Sequence, residues 1–459
     1  MVERRQSSER LRVPQPVIKR RLPSGRGAME QPNNTNDGAA ALTPRFWCAV
    51  AGTGVATGLF GDLMMAILFA VQRWAFGYST GSFQAAVQHA SGVRRMVSLL
   101  VAGAFGGTAW FLLRRVTKGR QSEIDDALWS GTGTLSFRRS LGTSVISEVV
   151  IGMGASLGRE AAPKLLGGAS GSFLAGWVGL SPAQRRLLVA CGGGAGLAAV
   201  YNVPLGGALF TAEILCGSIT LPTILPALAC SSIATLTAWL YLPASPTYAD
   251  VPAYHSSSSI VVWSLVVGPI VGVLAAIYIR LIGWLSHHRI TGTKAILAPL
   301  VAFGVLGLIG LAYPQLFGNG KDIAHDIFLG LGSFPLLLAL FLLKPLVTAL
   351  CLGSGASGGL FTPVMSSGAL LGGLLGLAWT HLWPGSAVGA YAMVGAAAMI
   401  GAAMQAPLSA LALVLELTHS GFQLMVPMML ATLVATAVTR HLDGYSIYTA
   451  RLPAATPSV

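Results

Sequence analysis

The chain has 459 residues, of which 53% are apolar and only 10% charged, and a mean hydropathy of +0.67, which excludes an ordinary soluble multi-domain protein. The formal net charge of +13 would suit nucleic acid, but its distribution does not. Eight of the 29 Lys and Arg residues lie in the first 26 positions, and others, such as Arg114, Arg115 and Lys118, sit at the ends of apolar runs.

Residues 1–43 form a basic opening segment broken by Pro14, Pro16 and Pro23. It reads as a disordered cytoplasmic tail suited to an anionic lipid surface. The first apolar run begins near Phe46, too far in for a cleaved signal peptide. Runs long enough to cross a hydrocarbon core of roughly 30 Å then occupy 47–69, 97–113, 219–241, 260–285, 296–312 and 334–352. Between and after them come shorter apolar pieces, broken by Gly and Pro, at 141–157, 162–180, 187–199, 204–215, 359–379, 387–404, 407–418 and 424–438. These predict an all-α integral membrane protein with tilted or half-crossing helices, which membranes tolerate only where protein or a cavity surrounds the breaks. The 57 glycines fit close helix approach and interrupted helices. Residues 241–260 contain no Lys or Arg and are placed outside. Cys48, Cys191, Cys216, Cys230 and Cys351 have neither metal spacing nor CxxC pairing, and read as small buried hydrophobes.

The chain repeats itself. Val200-Tyr-Asn-Val-Pro-Leu-Gly-Gly-Ala-Leu-Phe-Thr-Ala-Glu213 parallels Ala403-Met-Gln-Ala-Pro-Leu-Ser-Ala-Leu-Ala-Leu-Val-Leu-Glu416, 203 residues later. Upstream, Gly158-Arg-Glu-Ala-Ala-Pro163 and Gly358-Gly-Leu-Phe-Thr-Pro363 each begin a helix, 200 residues apart. Paired halves interrupted at matching places predict a transporter-like fold with its site at the repeat interface.

Gly353-Ser-Gly-Ala-Ser-Gly-Gly-Leu-Phe-Thr-Pro363 is a Gly-rich loop running into a proline suited to a first helical turn. Such a turn carries N–H groups without intrahelical partners and the positive end of the helix dipole. Inside a membrane those donors suit a bare anion, and the segment 158–163 supplies the same device from the other half. Glu160, beside Arg159 at a predicted helix start, is a carboxylate that can occupy the anion site and leave it on protonation. The alternative for it is a structural ion pair with Arg159.

These motifs resemble the CLC chloride channel and transporter family. The run from Gly353, Ser354, Gly355 and Gly359 to Pro363 matches that family's GSGxxGGxFxP signature, and Gly158-Arg159-Glu160 matches its G(K/R)E motif. Ser446-Ile-Tyr448-Thr-Ala is similar to its short terminal helix, whose tyrosine contacts the central anion. The resemblance spans roughly 44–452 and implies inverted repeats of about 46–242 and 260–452, a homodimer with one pore per subunit, both termini cytoplasmic and an inner (plasma) membrane location. It also implies chloride as substrate, Glu160 as external gate, and an anion site lined by the amides of Glu160, Ala161, Leu360 and Phe361 with the Tyr448 hydroxyl. No cofactor and no metal are implied.

Three departures qualify what the resemblance implies. The family's first anion motif, GSGIP, is replaced by Lys118-Gly-Arg-Gln-Ser122, which puts Gly119 where the coordinating serine belongs and leaves preference among chloride, bromide and nitrate open. Ala161-Ala162-Pro163 stands where Gly-Pro is common. Ile214 replaces the inner proton-relay glutamate of many family antiporters and cannot carry a proton. Proton-coupled exchange is the leading reading, with a passive chloride channel as its alternative.

Glu213 and Glu416, at equivalent repeat positions, are expected to cap or bridge helices. Asp62 has no assigned role, Glu148 is an alternative proton carrier, and Lys344 reads as a snorkelling or structural cation. His287 and His288 look like a helix end. An intramembrane enzyme would need a nucleophile–base pair or a metal constellation such as HExxH, and the eight histidines supply none. About eleven residues follow Tyr448, so neither a receptor domain nor a nucleotide-binding CBS pair is expected.

Overall fold

The computed structural model describes residues 40–117, 124–129, 133–419 and 421–452. Most of the expected basic tail therefore lies outside the described residues. Seventeen α-helices run through the rest: α1 Pro44–Phe76, α2 Phe83–His89, α3 Gly92–Val116, α4 Ile124–Trp129, α5 Phe137–Gly152, α6 Ala161–Val178, α7 Pro182–Tyr201, α8 Pro204–Phe210, α9 Leu221–Ala238, α10 Ser258–His287, α11 Leu297–Ala312, α12 Lys321–Phe328, α13 Phe334–Gly353, α14 Phe361–Leu382, α15 Val388–Met404, α16 Pro407–Thr418 and α17 Met425–Leu442. No strand longer than an isolated bridge occurs among the described residues.

Local chemistry sets the boundaries. Thr43 caps α1 by accepting from the Phe46 N–H at 3.3 Å, with Pro44 at the first position. Ser181 and Gln184 form a capping box at the start of α7. Gly77 and Gly179 end α1 and α6 in the left-handed conformation, at φ 67° and 71°. Asn202 and Gln405, 203 positions apart, stop α7 and α15 at φ 57° and 56°, and Pro204 and Pro407 restart the chain as α8 and α16. The sequence repeat is thus a repeat of backbone breaks.

Among the described residues, eight helical segments are long and apolar enough to cross a membrane: α1, α3, α9, α10, α13, α14, and the stretches Gly292–Ala312 and Phe422–Leu442 that end in α11 and α17. Six coincide with the expected full spans. The other two, α14 and the α17 segment, exceed the short pieces expected at 359–379 and 424–438. Glycine does not interrupt α14 because its glycines serve helix contact. A Cβ on Gly368 or Gly372 would strike the backbone of α15 at Gly395, and one on Gly167 of α6 would strike Gly192 of α7. The α6–α7 and α14–α15 pairs are the tightest in the fold. They form its interior, whereas α1, α3, α9, α10, α11, α13 and α17 expose apolar residues such as Leu59, Val101, Leu236, Ile277, Val301, Leu342 and Leu433.

Between the two interior pairs, α8 packs on α16. The Glu416 carboxylate accepts the N–H groups of Leu205 (3.0 Å) and Gly206 (2.5 Å) at the start of α8. Reciprocally, the Glu213 carboxylate accepts those of Leu408 (3.3 Å) and Ser409 (2.7 Å) at the start of α16, together with the Ser409 hydroxyl. Each repeat caps the other's helix, as expected for these two acids. Glu416→Ala leaves two N–H groups at the start of α8 without their charged acceptor and is expected to cost about 3 kcal/mol, read as a lower midpoint of thermal aggregation in detergent. Glu416→Gln, which keeps one acceptor oxygen, should lose less.

Of the two readings of Lys344, snorkelling or structural, the structural one holds: it is fully buried, with its ammonium tied to backbone oxygens and a hydroxyl. Cys48 is exposed on α1 instead of buried. Ser354 follows the end of α13 and donates to the Cys351 carbonyl at 2.6 Å.

Candidate functional site

After α5 the chain runs through residues 153–160 before α6 begins, and after α13 through 354–360 before α14. The two connections meet. Gly158 N–H donates to the Gly359 carbonyl at 2.8 Å and Gly359 N–H to the Gly158 carbonyl at 2.7 Å, so the two helix starts are clasped backbone to backbone. Ser147 of α5 donates to the Ser357 carbonyl at 2.6 Å, fastening the Gly-rich loop. Lys344 of α13 donates to Ser156 Oγ and to the Gly318 carbonyl, each at 2.8 Å, fastening the other connection. Gly318 N–H in turn donates to the Gly154 carbonyl at 3.0 Å, and Gly154 takes φ 114°, which side chains resist.

This scaffold places Glu160 at the foot of α6 and Leu360 at the foot of α14, neither capping its helix with its own side chain. Pro163 and Pro363 both fall in the first turn. The Glu160 carboxylate, 1% exposed, reaches across to the other helix start and accepts the Phe361 N–H on Oε1 at 2.8 Å. On Oε2 it faces the hydroxyls of Tyr201 and Thr362, each at 3.2 Å and 2.6 Å from one another. A negative group therefore sits where a free helix start presents its donors. The expected alternative, an ion pair with Arg159, is not formed. The Arg159 guanidinium lies 4.9 Å over the Tyr201 ring.

A cavity of about 60 Å³ opens against Glu160, Ala161, Lys164, Gly359, Leu360 and Tyr448, with Ile124, Leu165, Ser357, Gly358 and Arg451 completing its wall. Tyr448 is delivered there because Ile447 N–H donates to the Ala403 carbonyl, at 2.7 Å, near the end of α15. Glu160, Ala161, Leu360, Phe361 and Tyr448, named from the sequence, thus converge, with Gly158, Arg159 and Gly359 around them. Gly353, Ser354, Gly355 and Pro363 shape the approach. Gly119 lies outside the described residues.

A second cavity, about 340 Å³, opens beside Arg159 and is lined also by Gln72, Arg73, Asn319, Lys321 and Asp322. Burial, reinforced by the charge of Arg159, pushes the Lys321 ammonium down to about 8, against the pull of Asp322 and Asp250. This mouth therefore loses a positive charge as pH rises past that value.

Sequence reasoning missed Tyr201, Thr362, Lys164 and Arg451. Tyr201 and Thr362 stood inside the quoted motifs, but a hydroxyl's direction is invisible there. Lys164 had a usable signal, falling one turn after Glu160 and so on the same helix face. Glu148 is fully buried on α5, and neither carboxylate oxygen has a hydrogen-bond partner. Asp62 on α1 is nearly as buried, with Oδ1 unpartnered. His287 Nε2 donates to the Ala450 carbonyl, 3.0 Å away, at the end of α10. Among the described residues no group of His, Cys, Asp and Glu could hold a metal ion.

A family model described as voltage gated chloride channel matches residues 103–440. The H(+)/Cl(−) exchange transporter ClcA of Yersinia pestis is 30% identical over 345 residues, covering 73% of this chain and 70% of that protein. A ClcB-like protein of Ralstonia nicotianae is 30% identical over 405 residues, covering 86% and 94%. Among solved structures, a slow cyanobacterial Cl−/H+ antiporter superimposes with a TM-score of 0.77 at 23% identity, over 89% of this chain and 97% of that one.

Proposed function

Because the chain belongs to the voltage gated chloride channel family, we propose that it carries chloride across a membrane in exchange for protons, with Glu160 as both gate and proton carrier. One observation carries this reading: the Glu160 carboxylate is held by the Phe361 N–H of the opposite helix start. An anion and this carboxylate compete for the same donors. Chloride binds when Glu160 withdraws, and a proton neutralises Glu160 while it is away. The amides of Glu160, Ala161, Leu360 and Phe361 and the Tyr448 hydroxyl bind the anion, and by the family resemblance Gly119 takes the sequence position of the family's anion-binding serine. Gly158, Arg159, Gly353, Ser354, Gly355, Gly359 and Pro363 hold the backbone in place. The reading requires no cofactor.

By the same family resemblance, residues 44–459 form one transmembrane domain of inverted repeats, about 46–242 and 260–452, and the protein pairs as a homodimer. The eight basic residues among the first 26 support cytoplasmic termini in a cell inner membrane. The names of exchange transporters similar to the chain support coupling to protons. Ile214 favours the second reading, a passive channel, since it removes one acid from the inner proton route.

Purified protein in liposomes separates the two. Under opposed chloride and pH gradients, exchange gives a reversal potential that moves with the pH gradient, whereas a channel follows the chloride Nernst potential alone. Folded protein with no anion flux under any gradient would sink both.

A further inference from the structure

One acid inside the bundle stands apart from the anion site. Glu148, on α5, is fully buried, and neither of its carboxyl oxygens has a hydrogen-bond partner. An ionised carboxylate without a donor is costly, so the acid rests neutral, with a proton to give. Its neighbours on the same helix face show where that proton can go. One turn back, Ser144 donates to the carbonyl of Ala162 at 3.1 Å, in the first turn of α6 just past Glu160. One turn on, Ile151 lines the cavity of about 340 Å³ beside Arg159, and a Cβ on Gly152 would touch Leu68 of α1, which lines it too. From Ser144 to Ile151 the helix rises about 10 Å, so Glu148 stands between the foot of α6 and the cavity. The helix α1 starts beside the basic opening segment and ends at this cavity, which puts the cavity on the opposite, outer face. Helices α1, α3 and α6 pack against α5, and the charges that reach Glu148 are those of Arg159 and Glu160.

We propose that Glu148 is a second proton-binding residue, which passes protons between the outer cavity and Glu160. This rests on the exchange reading and adds to it the route by which the gate is loaded. Neutral Glu148 gives its O–H proton to the Glu160 carboxylate, which leaves Glu148 ionised and Glu160 neutral. A proton from the cavity then restores Glu148. Outward proton movement runs the same two steps in reverse. No hydrogen bond joins the two acids while Glu160 is seated. The transfer therefore belongs to the withdrawn carboxylate, which has left its donors and needs the proton. Arg159, whose Nε has no partner, acts on Glu148 by its charge and stabilises the ionised form between the two steps.

Liposomes holding the full chain, read with chloride and pH electrodes in parallel, test this. Glu148→Gln keeps the side-chain size and cannot ionise. Its proton flux should fall at least about tenfold, a lower bound on what a positioned general acid contributes. Chloride flux should fall less, so more chloride moves per proton. Glu148→Asp keeps a carboxyl set back by one carbon, and should retain proton flux with its dependence on outer pH shifted. An acid that only fills space would leave the chloride-to-proton ratio of Glu148→Gln at the wild-type value. That result in folded protein overturns the proposal and leaves exchange through Glu160 standing. Should the Gln variant not fold, Glu148→Asp decides, and a proton flux with the wild-type dependence on outer pH overturns the assignment. Wild-type protein that moves chloride without protons overturns the exchange reading and this route with it.

Discussion

Glu160→Ala protein in proteoliposomes is expected to carry chloride without any accompanying proton movement. The wild-type carboxylate, 1% exposed, accepts one backbone N–H and faces two hydroxyls, and contacts to a charged acceptor are worth roughly 1.5–3 kcal/mol each. Removing the carboxylate frees those donors for a permeating anion and removes the group that loads and unloads the proton. Chloride flux should persist and lose its dependence on pH, while proton flux should fall to the leak of empty liposomes. Glu160→Gln keeps the side-chain size and an acceptor oxygen but cannot ionise, so it too should lose proton flux. Parallel recordings from a chloride electrode and a pH electrode check both. Proton transport that survives in Glu160→Ala would place the proton carrier elsewhere, and the buried, unpartnered Glu148 would become the first place to look.

Much of this site was legible because its working parts are backbone. A Gly-rich run, a proline in the first turn and a second copy 200 residues away specify two free helix starts, whatever the side chains around them. The mutual capping by Glu213 and Glu416 was legible for the same reason, since a repeat that places an acid nine residues after a Pro in each half invites a symmetric exchange. What stayed hidden depended on a side chain's direction. Tyr201 and Thr362 reach Glu160 only because α7 and α14 turn them inward, and nothing in their spacing says so. Lys344 beside Pro345 reads as either a snorkelling or a structural cation, and what decides between them is the distant backbone carbonyl of Gly318. Helix lengths were misjudged at α14 because glycine breaks a helix in water, but inside a packed membrane bundle it lets a neighbour approach.

Gly359→Ala should sharply reduce transport without unfolding the protein. Its consequence differs from that of Glu160→Ala because of where the new methyl lands. A Cβ on Gly359 would overlap the Glu160 carboxylate in its seat, and the nearest atoms it meets are all from that side chain. Gly359 is not among the glycines with left-handed φ, so alanine suits its backbone, and both hydrogen bonds to Gly158 use main-chain atoms that alanine retains. The carboxylate can swing away, since it is the end of a flexible side chain. The methyl cannot, and it then occupies the volume an anion needs beside the Phe361 N–H. Chloride flux should therefore drop at least about tenfold below wild type, in line with a loss of about 1.4 kcal/mol or more in anion binding. The double variant Glu160→Ala/Gly359→Ala sharpens the test. If the methyl merely displaced the gate, the double variant would conduct like Glu160→Ala. If the carboxylate's seat is the anion's seat, it stays blocked, and the Gly359→Ala loss carries over undiminished into the Glu160→Ala background. Free chloride passage through the double variant would show that Glu160 rests beside the pathway and not in it.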